Sequence, residues 1–568
     1  MLVGKRVLLR YYAMIFALLV TACGKTGGSP GKINPSSSSP AIAETAAITP
    51  VPPEGSDPGL SATAYSSPEQ PAPTSLPETL WISPDIPDML RRLARASGFE
   101  QIAEPEKASI HLDVSRSQND QTITWIYALV TPFPTITDGI ALKTIRDAWA
   151  GKPSGPFTGQ PLRMTASTLA AFSEAWGSPA STSVSVVDAS QLIETAWTNR
   201  PAWAIVPFEE LDPRWKVLSV DGQSPVHNDF NASAYPLKLN FSLKPAVFPL
   251  LSSNRDPNKL TVLAMTGVTA MVRATADRMD KKGVLYPGEE IRTVLRSADL
   301  THISNEVSFD PNCPTPDPWT ASLQFCSDPR YIALLEDIGV DIVELTGNHL
   351  LDYGTGPMLT TLDMYDQRGW LHYGGGRNLA DARQAVKVIN HGNRLAFLGC
   401  NPVGPASDWA TDSSPGSDPC DYKQMKVEIA SLRSEGYLPI MTFQYNEYYQ
   451  PFPTDYEQRD FRSMADAGAI IVSGSQAHVP AAMEFYEGSF IHYGLGNLFF
   501  DQMSHRMDNG TIIHDTRNVF IDRHIFYDGR YIGTELLTYI IEDYARPRAM
   551  TDTERANFLK EIFSATVW

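Results

Sequence analysis

Apolar and polar positions alternate along two stretches of this chain in patterns that predict strands and helices. In the first stretch the pattern predicts helices at 140–150 and 190–198 and strands at 109–114, 125–130, 184–187 and 202–206. Strands that alternate with helices are typical of an α/β domain. We therefore predict a first α/β domain at residues 79–249.

A second α/β domain is predicted at residues 259–547. Its predicted strands are 260–265, 298–306, 340–345, 394–398, 439–443 and 469–472, and its predicted helices include 291–297, 355–368 and 456–467. Polar side chains follow four of these strands: Asn305-Glu306, Asn348-His349, Gln444 with Glu447, and Gln476 with His478. The carboxyl ends of strands in an open α/β sheet share one edge, where sites form. One such group alone is more often structural, so the prediction of a site depends on the coincidence of four.

The chain begins with a segment typical of an exported lipoprotein. Lys5, Arg6 and Arg10 precede an apolar run at 11–20 that is too short to span a bilayer, and small residues lead directly to Cys23. We predict a signal peptide at 1–22, a lipidated Cys23, and an extracytoplasmic protein anchored to the cell membrane; an ordinary signal peptide is the alternative. Residues 23–78, rich in Ser, Pro and Ala, predict a disordered linker. A C-terminal helix is predicted at 548–568.

Charge narrows the choice of partners. The chain of 568 residues has 46 Lys and Arg against 64 Asp and Glu, a net charge of −18. Removal of residues 1–22 takes away three basic and no acidic residues, so the mature protein would carry −21. Nucleic acid is excluded as a general partner, because phosphate contacts need a clustered basic surface.

Four cysteines remain once Cys23 is assigned to the lipid. An even number in an exported protein predicts two disulfides, and proximity favours Cys313 with Cys326 and Cys400 with Cys420 among three possible pairings. A metal site is the alternative, but the four cysteines include no C-x-x-C pair.

The motifs of the second stretch resemble those of the capsule-synthesis CapA family, also called the poly-gamma-glutamate biosynthesis family. The resemblance covers residues 260–502 and follows the family's motif order: Ala298-Asp299-Leu300 with Asn305-Glu306, the run 346–354, the run 373–376, and the run 491–501. The resemblance implies a fold like that of calcineurin-type metallophosphatases, a sandwich of α/β layers. It also implies a role in capsule or cell-surface polymer synthesis, with an envelope polymer or capsule-synthesis proteins as partners.

This sequence departs from the family pattern at three metal-ligand positions. Val268 stands where the family has the first Asp, and Gln444 and Gln476 stand where it has His. Since Val cannot ligate a metal, the sequence predicts that a two-metal centre is absent. The family's other groups are present: Glu306, Asn348 and His478 as metal candidates, and His349 and Asp352 as catalytic candidates.

Three functional hypotheses follow. In the first, the edge of the sheet is an active hydrolase or lyase, with one divalent ion held by Glu306, Asn348 and His478 and with His349 as general acid. In the second, the metal site has decayed and the edge binds a polymer or a partner. In the third, the first domain is the working part, because its runs at 127–151 and 203–211 weakly resemble the type II periplasmic solute-binding proteins. A packed α/β domain with no binding function is the alternative for that part.

Overall fold

The structure is a computed structural model that describes residues 78–115, 122–566 and 568. The predicted signal peptide, Cys23 and the linker up to residue 77 lie outside the described residues. All described residues belong to one compact unit. Within that part of the chain, no helix has the length and apolar character needed to cross a membrane.

The first part of the described chain forms one mixed sheet with four helices. Its strands are β1 Thr79–Ile82, β2 Glu100–Gln101, β3 Ile110–Val114, β4 Thr122–Pro132, β5 Gly139–Ile140, β6 Leu162–Met164, β7 Val184–Val186, β8 Trp203–Pro207, β9 Trp215–Val220 and β10 Lys238–Lys244. Its helices are α1 Asp88–Arg95, α2 Leu142–Trp149, α3 Ala166–Trp176 and α4 Leu192–Thr198. The strand order is β2-β1-β3-β10-β4-β8-β6-β7, and β9 pairs with β4 and β5.

The second part of the described chain contains eighteen strands and eight helices. The strands are β11 Leu260–Thr269, β12 Leu300–Asn305, β13 Ile342–Glu344, β14 Leu371–Tyr373, β15 Gly375–Gly376, β16 Val386–Asn390, β17 Asn393–Cys400, β18 Gly416–Ser417, β19 Leu438–Phe443, β20 Ile471–Ser473, β21 Met483–Tyr486, β22 Ser489–His492, β23 Asn497–Phe499, β24 His505–Arg506, β25 Ile512–Ile513, β26 Asn518–Tyr527, β27 Arg530–Glu542 and β28 Arg546–Ala549. The helices are α5 Arg273–Lys282, α6 Arg292–Arg296, α7 Ile332–Ile338, α8 Thr355–Asp366, α9 Leu379–Ala382, α10 Tyr422–Ser434, α11 Asp455–Asp466 and α12 Asp552–Ala565.

Two large sheets of the second part pack face to face between layers of helices. One has the order β14-β13-β12-β11-β26-β27-β28, with β23 also on β11, and the other has the order β16-β17-β19-β20-β22-β21. Alternate residues of β11 show the layering: Leu263 and Met265 join the core between the sheets, whereas Ala264 joins the core under the helices. Both faces of these strands are therefore buried, which explains their nearly continuous apolar runs. The predicted mixed α/β fold is confirmed.

The two parts share apolar surface. The core of the first sheet also contains Leu260, Val262 and Ile525 from the second part. The arginine of α12, Arg555, reaches the β4–β5 loop and donates to both carboxylate oxygens of Asp138 at 2.8 Å. The predicted domain boundaries at 249 and 547 stay predictions.

The first strand of the second part differs from its prediction. It continues past residue 265 to Thr269, with a register shift between Met265 and Val268. Only glycine fits at position 267 on this path. A Cβ there would lie 1.8 Å from the carbonyl oxygen of Gly496 and would clash with it. The continued strand buries Val268 completely and pairs it with Asn497 of β23.

Two disulfides join Cys313 to Cys326 and Cys400 to Cys420, the pairs that sequence proximity favours. The first closes the long loop between β12 and α7. The second ties the end of β17 to Cys420, two residues before α10, beside the strand that leads to Gln444.

Candidate functional site

The polar residues predicted at the strand ends come together across the two packed sheets. Glu306 directly follows β12, and His349 lies in the loop after β13, in the eight-stranded sheet; Gln444 follows β19 and His478 lies after β20, in the six-stranded sheet. Among these polar residues, contacts cross between the sheets at two places: the Gln444 amide donates to Asn348 Oδ1 at 3.4 Å, and His478 Nε2 lies 4.0 Å from Glu306 Oε1. We call this set the rim: Glu306, Asn348, His349, Gln444, Glu447, Gln476 and His478.

Glu306 is the most deeply buried carboxylate of the rim. It is 1% exposed, and neither of its carboxylate oxygens has a hydrogen-bond partner among the described residues. Burial raises the pKa of Glu306, an effect that the nearby His478 and His349 oppose. The backbone of Glu306 packs closely against Gly347. A Cβ at position 347 would lie only 2.8 Å from Glu306 Cα.

His478 is held between an amide and two carboxylates. Its Nδ1 donates to Asn497 Oδ1 at 2.8 Å, and its Nε2 lies 3.4 Å from Glu447 Oε1. Burial alone would lower its pKa, but the hydrogen bond with Glu447 and the charges of Glu306 and Glu447 raise the pKa of His478 to about 9. The same hydrogen bond lowers the pKa of Glu447 to about 2. His478 is therefore an imidazolium at neutral pH, with Glu447 as its counter-ion.

His349 forms a second imidazole–carboxylate pair. Its Nδ1 donates to Asp352 Oδ2 at 2.8 Å, and its side chain keeps 18% exposure. Burial would lower the pKa of His349, but the bond to Asp352 and the charges of Glu306, Asp352 and Asp408 outweigh it, so the pKa is raised. Asp352 is oriented by the backbone N–H of Phe325, which donates to Oδ2 at 2.7 Å. A partly exposed imidazole with an orienting carboxylate is suited to proton transfer.

The three substituted positions change which ligand atoms are available beside Glu306 and His478. Val268 is apolar and fully buried, and Gln444 and Gln476 are each 1% exposed. Both side-chain amide atoms of Gln476 lack hydrogen-bond partners among the described residues. Val268 therefore offers no ligand atom, and Gln444 and Gln476 offer amide oxygens in place of imidazole nitrogens. The absence of a two-metal centre stays a prediction.

The remaining candidate ligands for one metal ion are Glu306, Asn348 and His478. Within the described ranges no group of three or more His, Cys, Asp or Glu side chains is placed to hold a metal ion. His478 Nε2 lies 3.4 Å from Glu447 Oε1, and a metal ion bound at this nitrogen would displace its proton. Glu306 has free ligand capacity on both carboxylate oxygens, since neither has a partner in the described part of the chain. A single ion on Glu306, Asn348 and His478 stays a prediction.

Several residues of the site were not identified from the sequence. Asp408 lies 3% exposed near Asp352, and burial together with that charge raises the pKa of Asp408 to about 6. Tyr449 donates to Glu447 Oε2 at 2.8 Å and accepts from the Gln502 amide at 2.9 Å. Asp408 lies far along the chain from the other members of its cluster, so no local pattern indicated it. Tyr449 lies only two residues from Glu447, so its position in the sequence could have identified it.

The basic residues of α5 do not form a free basic groove. Arg273 pairs with Asp501 and also lies against the rings of Phe325 and Phe500. The others pair with nearby carboxylates: Arg278 and Lys282 with Asp543, and Lys281 with Asp277. Each of these four cations thus has a carboxylate partner, although the four share only three carboxylates.

Comparison with known proteins identifies relatives of the part that contains the rim. Residues 262–502 match the model of the family described as "Bacterial capsule synthesis protein PGA_cap". The PGA biosynthesis protein CapA of Bacillus subtilis (strain 168) is 25% identical over 242 residues, which is 42% of this chain and 63% of that protein. The capsule biosynthesis protein CapA of Bacillus anthracis is 25% identical over 289 residues, 48% of this chain and 69% of that protein. The family resemblance predicted from the motifs is confirmed.

Solved structures give only distant likenesses. A 5'-nucleotidase precursor from Thermus thermophilus has a TM-score of 0.28 and 14% identity, covering 54% of this chain and 58% of that one. An ABC-type phosphate transport receptor from Vibrio cholerae has a TM-score of 0.24 and 14% identity, covering 29% and 85%. No functional argument follows from likenesses this distant.

Proposed function

We propose that this protein, whose residues 262–502 belong to the bacterial capsule synthesis protein family, acts in the synthesis or handling of a capsule-type polymer at the cell surface. The observation that carries the proposal is that the matched segment contains every rim residue, from Glu306 to His478. The names of the relatives in Bacillus refer to capsule or PGA biosynthesis. Because the chain spans 63% of one of these proteins and 69% of the other, the role of the whole protein is part of the proposal.

In this function the rim binds the polymer, and no two-metal centre is needed. Two imidazole–carboxylate pairs, His478 with Glu447 and His349 with Asp352, lie at the rim, and both imidazoles have raised pKa values. Such pairs present both a donor and an acceptor, which suits an amide or a hydroxyl group of a polymer. The protein's net charge of −18 opposes the approach of a polyanion, so recognition at the rim would depend on these local charges.

Complementation tests this function in the cell. The gene is deleted and replaced by the wild type, by Glu306→Ala, by His349→Ala, or by Lys426→Ala. Lys426 is exposed on α10 and is the matched control. Surface polymer is released, hydrolysed in acid and measured as amino acids and sugars. We expect the deletion and both rim variants to lose polymer and Lys426→Ala to restore it. An unchanged polymer level in the deletion strain would contradict the proposal.

The absence of a two-metal centre is tested on the purified protein. Val268, Gln444 and Gln476 remove three of the family's ligands, so we expect less than one divalent ion per chain after purification without chelator. Elemental analysis gives the stoichiometry directly. Two tightly bound ions per chain would show that other residues replace the lost ligands.

A metal-dependent hydrolase is the second candidate, and two observations favour it. Both oxygens of the buried Glu306 lack partners among the described residues, and His349 is oriented by Asp352 as a general acid would be. If this candidate is right, added Mn²⁺ should support hydrolysis of a phosphoester or of polyglutamate. His349→Ala and Glu306→Ala should then abolish turnover, whereas Lys426→Ala should retain it. Equal turnover in all variants would remove the rim as the catalytic site.

We also propose that the protein is held at the outer face of the membrane by lipid on Cys23. The support is the sequence of residues 1–23 alone. Labelled fatty acid should be incorporated into the wild type and not into Cys23→Ala, and the variant should leave the membrane fraction. Equal labelling of both proteins would overturn the anchor.

A further inference from the structure

A cavity separate from the rim lies where the first sheet meets the second part of the chain. Its volume is about 330 Å³, and its lining shares no residue with the rim. One wall comes from β9 and the β4–β5 loop, and the other comes from β26, β27 and α12. This volume is in the range of small-molecule sites in proteins.

The cavity has an apolar end. Phe133 from the first part and Leu536, Leu559 and Phe563 from the second part line it. Phe133 is 2% exposed and lies edge-on to other rings of the core, with a centroid distance of 6.4 Å to Phe563. Rings and aliphatic side chains fixed in this way form a preorganised surface for an apolar group.

The opposite side of the cavity is charged and contains an incompletely paired arginine. Arg523 is 7% exposed, and its Nε has no hydrogen-bond partner among the described residues. Its nearest carboxylate is Glu535, whose Oε2 lies 3.6 Å from Arg523 Nη1 and likewise lacks a hydrogen bond within the described ranges. Glu535 is engaged instead through Oε1, which accepts from His227 Nε2 at 2.7 Å. A buried guanidinium with incomplete hydrogen bonds is costly, so this geometry points to a group that is bound there.

The other charges of the cavity are paired with one another. Asp138 accepts from Arg555 at 2.8 Å and forms an ion pair of 2.6 Å with Lys216. Lys216 also donates to the carbonyl oxygen of Thr135 at 2.7 Å. Apart from His227, the charged residues of the lining are the three cations Lys216, Arg523 and Arg555 and the two carboxylates Asp138 and Glu535. The lining therefore has one positive charge in excess. That excess lies with Lys216 and Arg555, which share the one negative charge of Asp138. Arg523 faces the carboxylate of Glu535, but its Nε has no hydrogen-bond partner among the described residues.

We propose that this cavity binds a small molecule with one carboxylate and an apolar body. The carboxylate lies against the guanidinium of Arg523, whose planar fork suits bidentate contact with a carboxylate. The apolar body lies against Phe133, Leu559 and Phe563. Since the walls come from both parts of the chain, an occupant would hold them together and stabilise the folded protein. This inference is independent of the function proposed for the rim.

Calorimetric titration of the purified protein with 4-phenylbutyrate tests the proposal, with 4-phenylbutanol and 4-phenylbutylamine as probes of the same body without the carboxylate. We expect saturable binding of the carboxylate, and binding of the alcohol and the amine weaker by about tenfold or more. Arg523→Gln should weaken binding of the carboxylate by a similar factor and leave binding of the alcohol unchanged. Lys560→Gln, an equal charge change at an exposed position of α12, is the control and should bind as the wild type does.

A second variant covers the case in which Arg523→Gln fails to fold, which circular dichroism would show. Met550→Trp fills the cavity from the loop before α12 and should abolish binding of both the carboxylate and the alcohol. Three results would overturn the proposal: an alcohol that binds as tightly as the carboxylate, a Lys560→Gln variant that weakens binding as much as Arg523→Gln, or no saturable heat with 4-phenylbutyrate up to about 10 mM.

Discussion

Gly347 is the position at which one added methyl group should disturb the rim most directly. An alanine Cβ there would lie 2.8 Å from Glu306 Cα and 2.9 Å from the Glu306 carbonyl oxygen. Carbon atoms in contact prefer roughly 3.5–4.0 Å, so the overlap is about 0.7 Å or more. The obstructing atoms belong to the backbone and cannot rotate away. We therefore expect Gly347→Ala to push Glu306 out of place and to cost about 1–3 kcal/mol of unfolding free energy.

The same segment provides a matched control. Gly356 lies in the first turn of α8, and a Cβ there would meet nothing within 4 Å. Gly356→Ala should change the stability by less than about 1 kcal/mol, because the helix preference of alanine is opposed by the Pro357 ring that follows it. Urea unfolding followed by tryptophan fluorescence compares the midpoints, and complementation reports function. A Gly347→Ala variant with the wild-type midpoint and full complementation would refute the packing argument.

Three further predictions concern stability. Burial raises the pKa of Glu457 to about 7, so at pH values between the unfolded pKa and about 7 the folded protein keeps a proton that the unfolded chain has lost. The stability of the folded state therefore falls as the pH rises through this window. Glu457→Gln, which keeps the helix cap, should thus gain up to about 3 kcal/mol over the wild type at pH 8 and little at pH 4.5, as urea midpoints would show. Asp138→Asn should lower the free energy of unfolding by about 1 kcal/mol at pH 7, because it removes the ion pair with Arg555. Since that pair lowers the pKa of Asp138, the difference between variant and wild type should vanish in acid. A difference that stays constant across pH would contradict this prediction. Replacement of Cys313 and Cys326 by Ser should cost about 3 kcal/mol, and equal urea midpoints with and without the bond would contradict this.

The alternation of apolar and polar residues was enough to predict the α/β class and most strands around the site. Strands β12, β13, β19 and β20 lie within a few residues of their predicted positions, because strands buried on both faces have compact apolar runs. The hairpin of β26 and β27 was not predicted. Its ten and thirteen residues mix charged and apolar positions, and it becomes part of the sheet only by pairing with β11, which lies far earlier in the chain.

The sequence by itself determined which chemical groups the rim can contain. Local order fixes that Glu306, His349 and His478 follow strands and that Val268, Gln444 and Gln476 replace metal ligands. Only the tertiary structure decided how these groups are paired. His478 meets Glu447 from a neighbouring strand of the same sheet, and Arg523 faces Glu535 across the hairpin of β26 and β27. His349 and Asp408 come from the two different sheets. Charge and burial act through distance in three dimensions, and separation along the chain does not encode that distance.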